Sequence, residues 1–577
     1  MKDYLKLVIV ISTTVLFFIL MPSTESPEEF RIPPPKAKTL YTTKELENIL
    51  RQHSRNEPTF NNESCNLLTE DSEYEEISQP YNSITQTTSF DKIGKFADNI
   101  TSPQFTRVTV VNLKPSYILC DRVDVNIEAR DSLNRTKTYG GDMFRVKLFT
   151  KKPYSAVNAY QILDFDNGTY LARFRVLWVG VIGLQVILVH PVEAIPFFAP
   201  TLNGSRAHLQ LFYGQFMARD TKGRKHSETT TCTLTERDEP SCNLSKTDTY
   251  APWYCSAPKS AYLNCSHWKI HKTDKKGSAT SLKPLFDQFG MDVLKRTKTV
   301  VYLSNRVINV PSREKSDYQH YAQFMNKSLP YCSANGPPPL KTNGYFYEAR
   351  WYPFDCTVPR FTSQETLQCL QGKTIHFFGD STGGQIFSVL KNMLKCQSVD
   401  LTPPRKTSRL EYECRVDNIT LHYTFHGLPI IGSATLNVHQ IQYAATEIDN
   451  IVGGPDDFIF LSYWAHFAMT GTKFYEHRIT LVKEAIYRLL DRSPGTKIFM
   501  KGANTRGYSA SMGIILSSDW HALQLEKTLR SCFQNDTEIG FIDSWDITQV
   551  QPNADNVHPK TSIVSHFVDR FLTYVCK

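Results

Sequence analysis

In the run Ile375-His376-Phe377-Phe378-Gly379-Asp380-Ser381-Thr382-Gly383-Gly384, an apolar, strand-like stretch ends in a small turn that carries a serine. A segment with Ile386, Leu390, Met393 and Leu394 at helical spacing follows at once. A hydroxyl at such a strand-to-helix turn sits where unpaired backbone N–H groups and the positive end of a helix dipole can stabilise an oxyanion. Ser381 is therefore the candidate nucleophile. A serine attacks poorly until a base takes its proton, and the base must be oriented by a third group. Near the C-terminus, Asp555-Asn556-Val557-His558-Pro559 offers His558 as the base and Asp555 as the orienter. Neither signature is rare alone: Asp317-Tyr318-Gln319-His320 repeats the Asp-x-x-His spacing in a polar segment upstream. What raises the odds is context, since Ser381 follows the first strand of its domain and His558 follows the last.

Those residues need a scaffold. Apolar runs at 373–378, 421–425, 457–462, 497–500 and 540–542 read as short strands. They alternate with helical spacing at 385–394, 476–490, 521–530 and 562–571. Such alternation predicts a parallel, three-layer α/β domain over 344–577, whose sites lie at the carboxyl ends of the strands. Upstream, β-type runs at 105–113, 122–129, 144–149, 170–177, 183–189 and 208–217 predict a β-sandwich over 96–225, with turns at Gly140-Gly141 and Asn167-Gly168. A Cys- and Thr-rich connector spans 226–343, and a Pro-led, polar stalk spans 22–95.

The chain has 577 residues, 41% hydrophobic and 21% charged, which are globular proportions that exclude a disordered chain. A net charge of +8 without basic blocks gives no reason to expect a nucleic-acid partner. Lys2 and Lys6 precede an apolar stretch at 7–21, and Glu25, Glu28 and Glu29 follow. This predicts a signal peptide or signal anchor over 1–21 and a lumenal or extracellular body, with membrane contact confined to that segment. Asn-x-Ser/Thr acceptors at Asn62, Asn99, Asn134, Asn167, Asn203, Asn243, Asn264, Asn326, Asn418 and Asn535 agree with that topology. Thirteen cysteines leave at least one unpaired within the chain, and Cys232, Cys242, Cys255 and Cys265, lacking CxxC spacing, favour disulfides over zinc. No metal-ligand cluster is visible.

Ala129-Arg130-Asp131, Gly140-Gly141-Asp142 with Phe144, and Asp166-Asn167-Gly168-Thr169-Tyr170 resemble a filamin-type immunoglobulin-like repeat. Ser381, Asp555 and His558 together resemble the SGNH or GDSL serine hydrolases. Gly379-Asp380-Ser381-Thr382-Gly383 also satisfies the Gly-x-Ser-x-Gly elbow of α/β-hydrolases, but that fold reaches its nucleophile after several strands and takes acid and base from separate loops. The SGNH resemblance implies an oxyanion hole made by the Ser381 N–H, by Gly427 after the second strand, and by a third donor normally within Gly-x-Asn-Asp. This chain instead has Ser462-Tyr463-Trp464-Ala465-His466, so Trp464, His466 or Asn504 is the candidate third donor, each with a purely structural reading beside it. That departure resembles the PC-esterase branch. The whole layout, over about residues 90–577, is similar to the neurexophilin and PC-esterase domain (NXPE) family.

The resemblance implies a serine O-acetyltransferase or O-acyl esterase of the secretory pathway, in the Golgi lumen as a type II membrane protein or secreted. Its acceptor would be a glycan or glycoprotein hydroxyl, sialic acid among them; it would hold no bound cofactor and take an acyl donor such as acetyl-CoA. The alternative is a non-catalytic binding glycoprotein whose sandwich recognises a protein partner, as neurexophilins do, beside an inert α/β domain.

Overall fold

The computed structural model describes residues 97–111, 113–197, 212–236, 239–246, 250–273, 288–312, 320–324, 329–399, 411–430, 434–506, 518–552 and 556–577. The signal segment, the stalk, Asp555 and the acceptors Asn62, Asn203 and Asn326 lie outside them.

Two antiparallel sheets face each other across one core. The first pairs β1 (Arg107–Val111), β2 (Arg122–Glu128), β6 (Thr169–Arg175) and β5 (Gln161–Asp164), in that order. The second runs β13 (Thr299–Val310), β7 (Gly180–His190), β3 (Met143–Lys151), β4 (Tyr154–Asn158), β14 (Gly344–Tyr347) and β15 (Arg350–Pro353). Val123, Val125 and Ile127 of β2 and Ile182, Leu184, Val186 and Leu188 of β7 occur at alternate positions and fill the space between the sheets. Strands from 299–310 and 344–353 thus complete this sheet, which crosses the boundaries expected at 225 and 343. Their long-range pairing has no local signature.

A third sheet orders β10 (Ser241–Asn243), β11 (Tyr254–Ser256), β9 (Lys225–Thr233), β8 (Phe212–Arg219), β12 (Trp268–Thr273) and β20 (Ala434–Asn437). The Cys232–Cys255 and Cys242–Cys265 disulfides staple it, as the absence of paired CxxC spacing suggested. Further bridges join Cys332–Cys356, Cys369–Cys576 and Cys396–Cys414, Cys120 is also bonded, and Cys532 is a free thiol.

The C-terminal sheet runs β17 (Gln397–Val399), β18 (Glu411–Val416), β19 (Ile419–Phe425), β16 (Thr374–Gly379), β21 (Asp457–Ser462), β22 (Lys497–Lys501) and β23 (Gly540–Ile542). From β19 to β23 neighbours are parallel, but β18 pairs antiparallel with both β17 and β19, so the sheet is mixed rather than parallel. The cause is a two-residue turn between Val416 and Ile419, where Asp417 has φ +48°. Along β21, Phe458 and Phe460 point to the helices Ser363–Leu370, Ser381–Leu394 and Thr561–Cys576, while Ile459 and Leu461 point to Ala444–Asn450, Thr472–Arg492 and Asp519–Phe533. Both faces of the sheet are therefore buried, and the layers are helix, sheet, helix. Among the described residues no helix is long and apolar enough to cross a membrane.

Candidate active site

The parallel strands end at one edge, where Gly379 pairs with Phe425 and with Ser462, and Ser462 with Lys501. The residues just beyond those ends make the site. Asp380 caps the helix Ser381–Leu394, its side chain accepting from the Thr382 N–H at 2.8 Å. The helix therefore begins at Ser381, four residues earlier than its apolar spacing indicated. Gly379 has φ +153°, and a Cβ there would overlap the Ser462 carbonyl oxygen, so only glycine lets β16 and β21 run this close together.

Ser381 Oγ lies 2.7 Å from His558 Nε2. The two residues are separated by 177 positions and meet where the first strand and the last loop of the domain converge. The His558 loop is held from two sides. Gln385 Nε2, one turn into the serine helix, donates to Pro559 O at 2.9 Å, and Asn504 Nδ2 donates to Val557 O at 3.2 Å. The Asn556 side chain accepts the His558 N–H at 3.1 Å. Partial burial lowers the His558 pKa below its ordinary value, Asp380 opposes the shift and Arg506 adds to it. The imidazole is thus kept in the neutral form that can accept a proton.

Of the N–H groups at the start of the serine helix, one is unspent. The Thr382, Gly383 and Gly384 N–H groups are all taken by Asp380, whereas the Ser381 N–H has no acceptor among the described residues. At Gly427, the preceding carbonyl of His426 accepts from Arg478 NH2 at 2.9 Å inside the domain. Gly427 itself is buried, at φ +88°, with Tyr443 packed against it.

The other oxyanion candidates separate by geometry. The Trp464 indole is buried and donates to Thr382 Oγ1 at 3.2 Å, and its backbone N–H donates to Asp380 Oδ2 at 3.1 Å. Asn504 spends its amide on Thr505 O and Val557 O while accepting from Lys501 Nζ at 3.0 Å. Both are committed to structure. His466 packs against Phe425 and His426 with ring centroids 5.2 and 5.1 Å away. Burial pushes its pKa down to about 4, with Arg506 and His558 adding to the shift and Asp380 opposing it. Of the three candidates it is the one whose charge is felt by His558's neighbourhood, since His558 contributes to its shift.

The upstream Asp-x-x-His is resolved differently: His320 is a core residue whose Nδ1 lies 2.7 Å from Tyr345 Oη and whose ring stacks on Tyr347. Among the described acceptor asparagines, Asn134, Asn243, Asn264, Asn418 and Asn535 are exposed and Asn99 is half-buried. Asn167 differs from these. It is 6% exposed and its Oδ1 accepts the Thr169 N–H, so a glycan there would require the turn to open.

Sequence reasoning missed three positioning residues. Asp380 stitches β16 to the loop after β21 by accepting the Trp464 and Ala465 N–H groups, the latter at 2.6 Å. Its place directly before a helix was a legible capping signal. Arg478, 2% exposed, and Arg506 had no such signal, because both act across distant segments.

Comparison with known proteins agrees with this architecture. Residues 351–576 match the family described as "NXPE family member 4-like, C-terminal domain", and residues 121–282 match "Neurexophilin". Protein trichome birefringence-like 31 of Arabidopsis thaliana is 31% identical over 107 residues, 16% of this chain and 25% of that protein, so the match spans a quarter of this curated relative. The chain thus joins a region similar to neurexophilin to a C-terminal domain similar to that of the NXPE family and, over part of its length, to a trichome birefringence-like protein.

Proposed function

We propose that the chain is a serine acyl-enzyme catalyst of the secretory pathway, an O-acetyltransferase or O-acyl esterase acting on glycan hydroxyls, sialic acid among them. The observation that carries this reading is the 2.7 Å approach of Ser381 Oγ to His558 Nε2 at the carboxyl edge of the central strand. The PC-esterase relationship supports esterase or acyltransferase chemistry.

In the first half-reaction His558 Nε2 takes the Ser381 proton as Oγ attacks the acyl carbonyl of a thioester donor such as acetyl-CoA, or of an ester. The Ser381 and Gly427 N–H groups, with the neutral His466 imidazole as third donor, receive the oxyanion. His558 then returns its proton to the leaving group, and Ser381 holds the acyl group. In the second half a sugar hydroxyl gives its proton to His558 as its oxygen attacks the acyl carbonyl, the acyl–Oγ bond breaks and His558 passes that proton to the departing Ser381 Oγ; water in place of the sugar makes the same site an esterase. Asp555, three residues before His558, takes the role of orienting the imidazole.

The two facing antiparallel sheets and the neurexophilin match support an immunoglobulin-like module that presents a partner surface. The disulfides support an oxidising lumen, Golgi or extracellular. A fluorophosphonate probe on the purified chain, with Ser381→Ala as control, tests the nucleophile, and mass spectrometry of cell-surface glycans with the same pair tests the acceptor. Labelling and glycan acetylation that both depend on Ser381 are expected. Absence of both would leave a binding glycoprotein.

A further inference from the structure

We propose that the N-terminal sandwich is a working part of this site: Arg145 and Lys298 of the sandwich clamp Asp519, and Asp519 fixes the backbone of Arg506, whose guanidinium acts on His558. The inference rests on the reading of His558 as base, and it adds a second domain to the apparatus that tunes it.

The clamp is a single buried carboxylate serving three chain segments. Asp519 is fully buried at the start of the helix Asp519–Phe533. Its Oδ2 receives Arg145 NH2 from β3 at 2.8 Å and Lys298 Nζ at 2.6 Å. Lys298 stands just before β13, its own N–H tied to Val189 O at 3.0 Å, and its ammonium also donates to the Arg506 carbonyl. The other oxygen, Oδ1, accepts the Arg506 N–H at 2.6 Å. Removing either cation would leave a buried charge incompletely compensated, so the sandwich and the loop after β22 are locked in one geometry.

That geometry has an electrostatic consequence. Arg506 NH1 donates to Ala465 O at 3.1 Å, and the guanidinium lies over the Trp464 ring at 5.6 Å, so the cation is set against the loop that carries His466. His558 touches Ser381, the loop after β22 meets the His558 loop where Asn504 Nδ2 donates to Val557 O at 3.2 Å, and the charged or titratable groups that act on the imidazole are Asp380 at the start of the serine helix, His466 after β21 and Arg506 after β22. Arg506 opposes protonation of His558, and Asp380 favours it. A half-buried cation is screened less than one in open solvent, so displacements of Arg506 are felt at the imidazole. Arg506 is a positioning residue in this scheme: it keeps the base free before attack, while Asp380 accommodates the imidazolium after it.

The test is a pH titration of His558 in the full chain, read residue by residue from histidine hydrogen–deuterium exchange and mass spectrometry, which does not require turnover. Arg506→Gln is expected to raise the His558 midpoint by about half a pH unit or more, and Arg506→Lys to restore most of it. Arg145→Met, more than three hundred positions away in sequence, is expected to raise the midpoint in the same direction by a smaller amount. The double variant should match Arg506→Gln alone, because Arg145 acts through Arg506. Should Arg145→Met fail to fold, Lys298→Met reports on the same clamp. A lowered melting temperature with an unmoved His558 midpoint in the sandwich variants would overturn the proposal and reduce the sandwich to a prop. Shifted midpoints without any Ser381-dependent labelling would instead support the clamp while overturning the acyl-enzyme reading.

Discussion

Two buried acid clusters in this molecule are built from similar parts and come to opposite ends. In the sandwich, Asp142 accepts the Thr101 hydroxyl and the Val192 N–H, while Glu193 is met by Lys137 and the Tyr139 hydroxyl. Every contact points inward, and the cluster closes the space where the loops at 98–101, 137–142 and 192–194 meet. In the α/β domain, Asp380 is also fully buried and accepts four hydrogen bonds, from Thr382 N and Oγ1 and from the Trp464 and Ala465 N–H groups. Its neighbours, however, are a hydroxyl with an adjacent imidazole at the surface and a backbone N–H left unspent. Burial of charge makes a rigid frame in both places; only an unspent donor beside an accessible nucleophile makes chemistry.

The comparison breaks most severely at the serine. Ser381→Ala should lower acyl transfer or ester hydrolysis by about a thousandfold or more while leaving the melting temperature near that of the parent, and His558→Gln should cost nearly as much. Retained turnover in either variant would remove the site from the α/β domain.

A pair of glycine substitutions then separates frame from chemistry. Gly379→Ala forces a Cβ into the Ser462 carbonyl and should cost about 3 kcal/mol of stability and abolish probe labelling. Gly168→Ala, at φ +83° in the sandwich, meets the Lys137 carbonyl and should cost about 2 kcal/mol while the labelling rate of the folded fraction stays unchanged. Denaturant melts and labelling kinetics on both variants read the difference. Cys369→Ser, which frees the C-terminal helix from the helix Ser363–Leu370, should cost a comparable or larger amount, about 2–5 kcal/mol by chain entropy.

The smallest effects are in pH. Because the His558 pKa is lowered, the free base persists below its ordinary midpoint, so kcat/KM should fall with acid only below about pH 6.5. A fall centred above neutrality would contradict this. Asp142 is shifted the other way: burial, then the charge of Glu193, raises its carboxyl to about 7. The folded state therefore holds a proton there that the unfolded chain has lost, and its contribution to stability declines as pH rises from about 4 to about 7. Asp142→Asn should flatten that slope in urea melts taken across the interval.

The legible part of the molecule was local. Asp457–Ser462 and Gly540–Ile542 were readable to the residue from apolar runs, and Ser381 and His558 from their places after the first and last strands. What escaped was pairing between segments far apart in the chain. The strands Thr299–Val310 and Gly344–Tyr347 join the sandwich sheet, and the short β17–β18 edge runs antiparallel because of a turn whose residues, Asp417 and Asn418, look like any polar pair. Arg478 and Arg506 were invisible for the same reason: a long polar side chain declares its partner only once the chain is folded.

The pairing of β12 with β20, residue 270 opposite 437 and 273 opposite 434, has a practical consequence for anyone cutting this gene into pieces. A fragment beginning near 344 would carry β20 without its neighbour and β14 without β4, two raw hydrogen-bonding edges open to self-association. Soluble expression should therefore require a start ahead of Arg107, so that the C-terminal α/β half is made together with the strands that cover it.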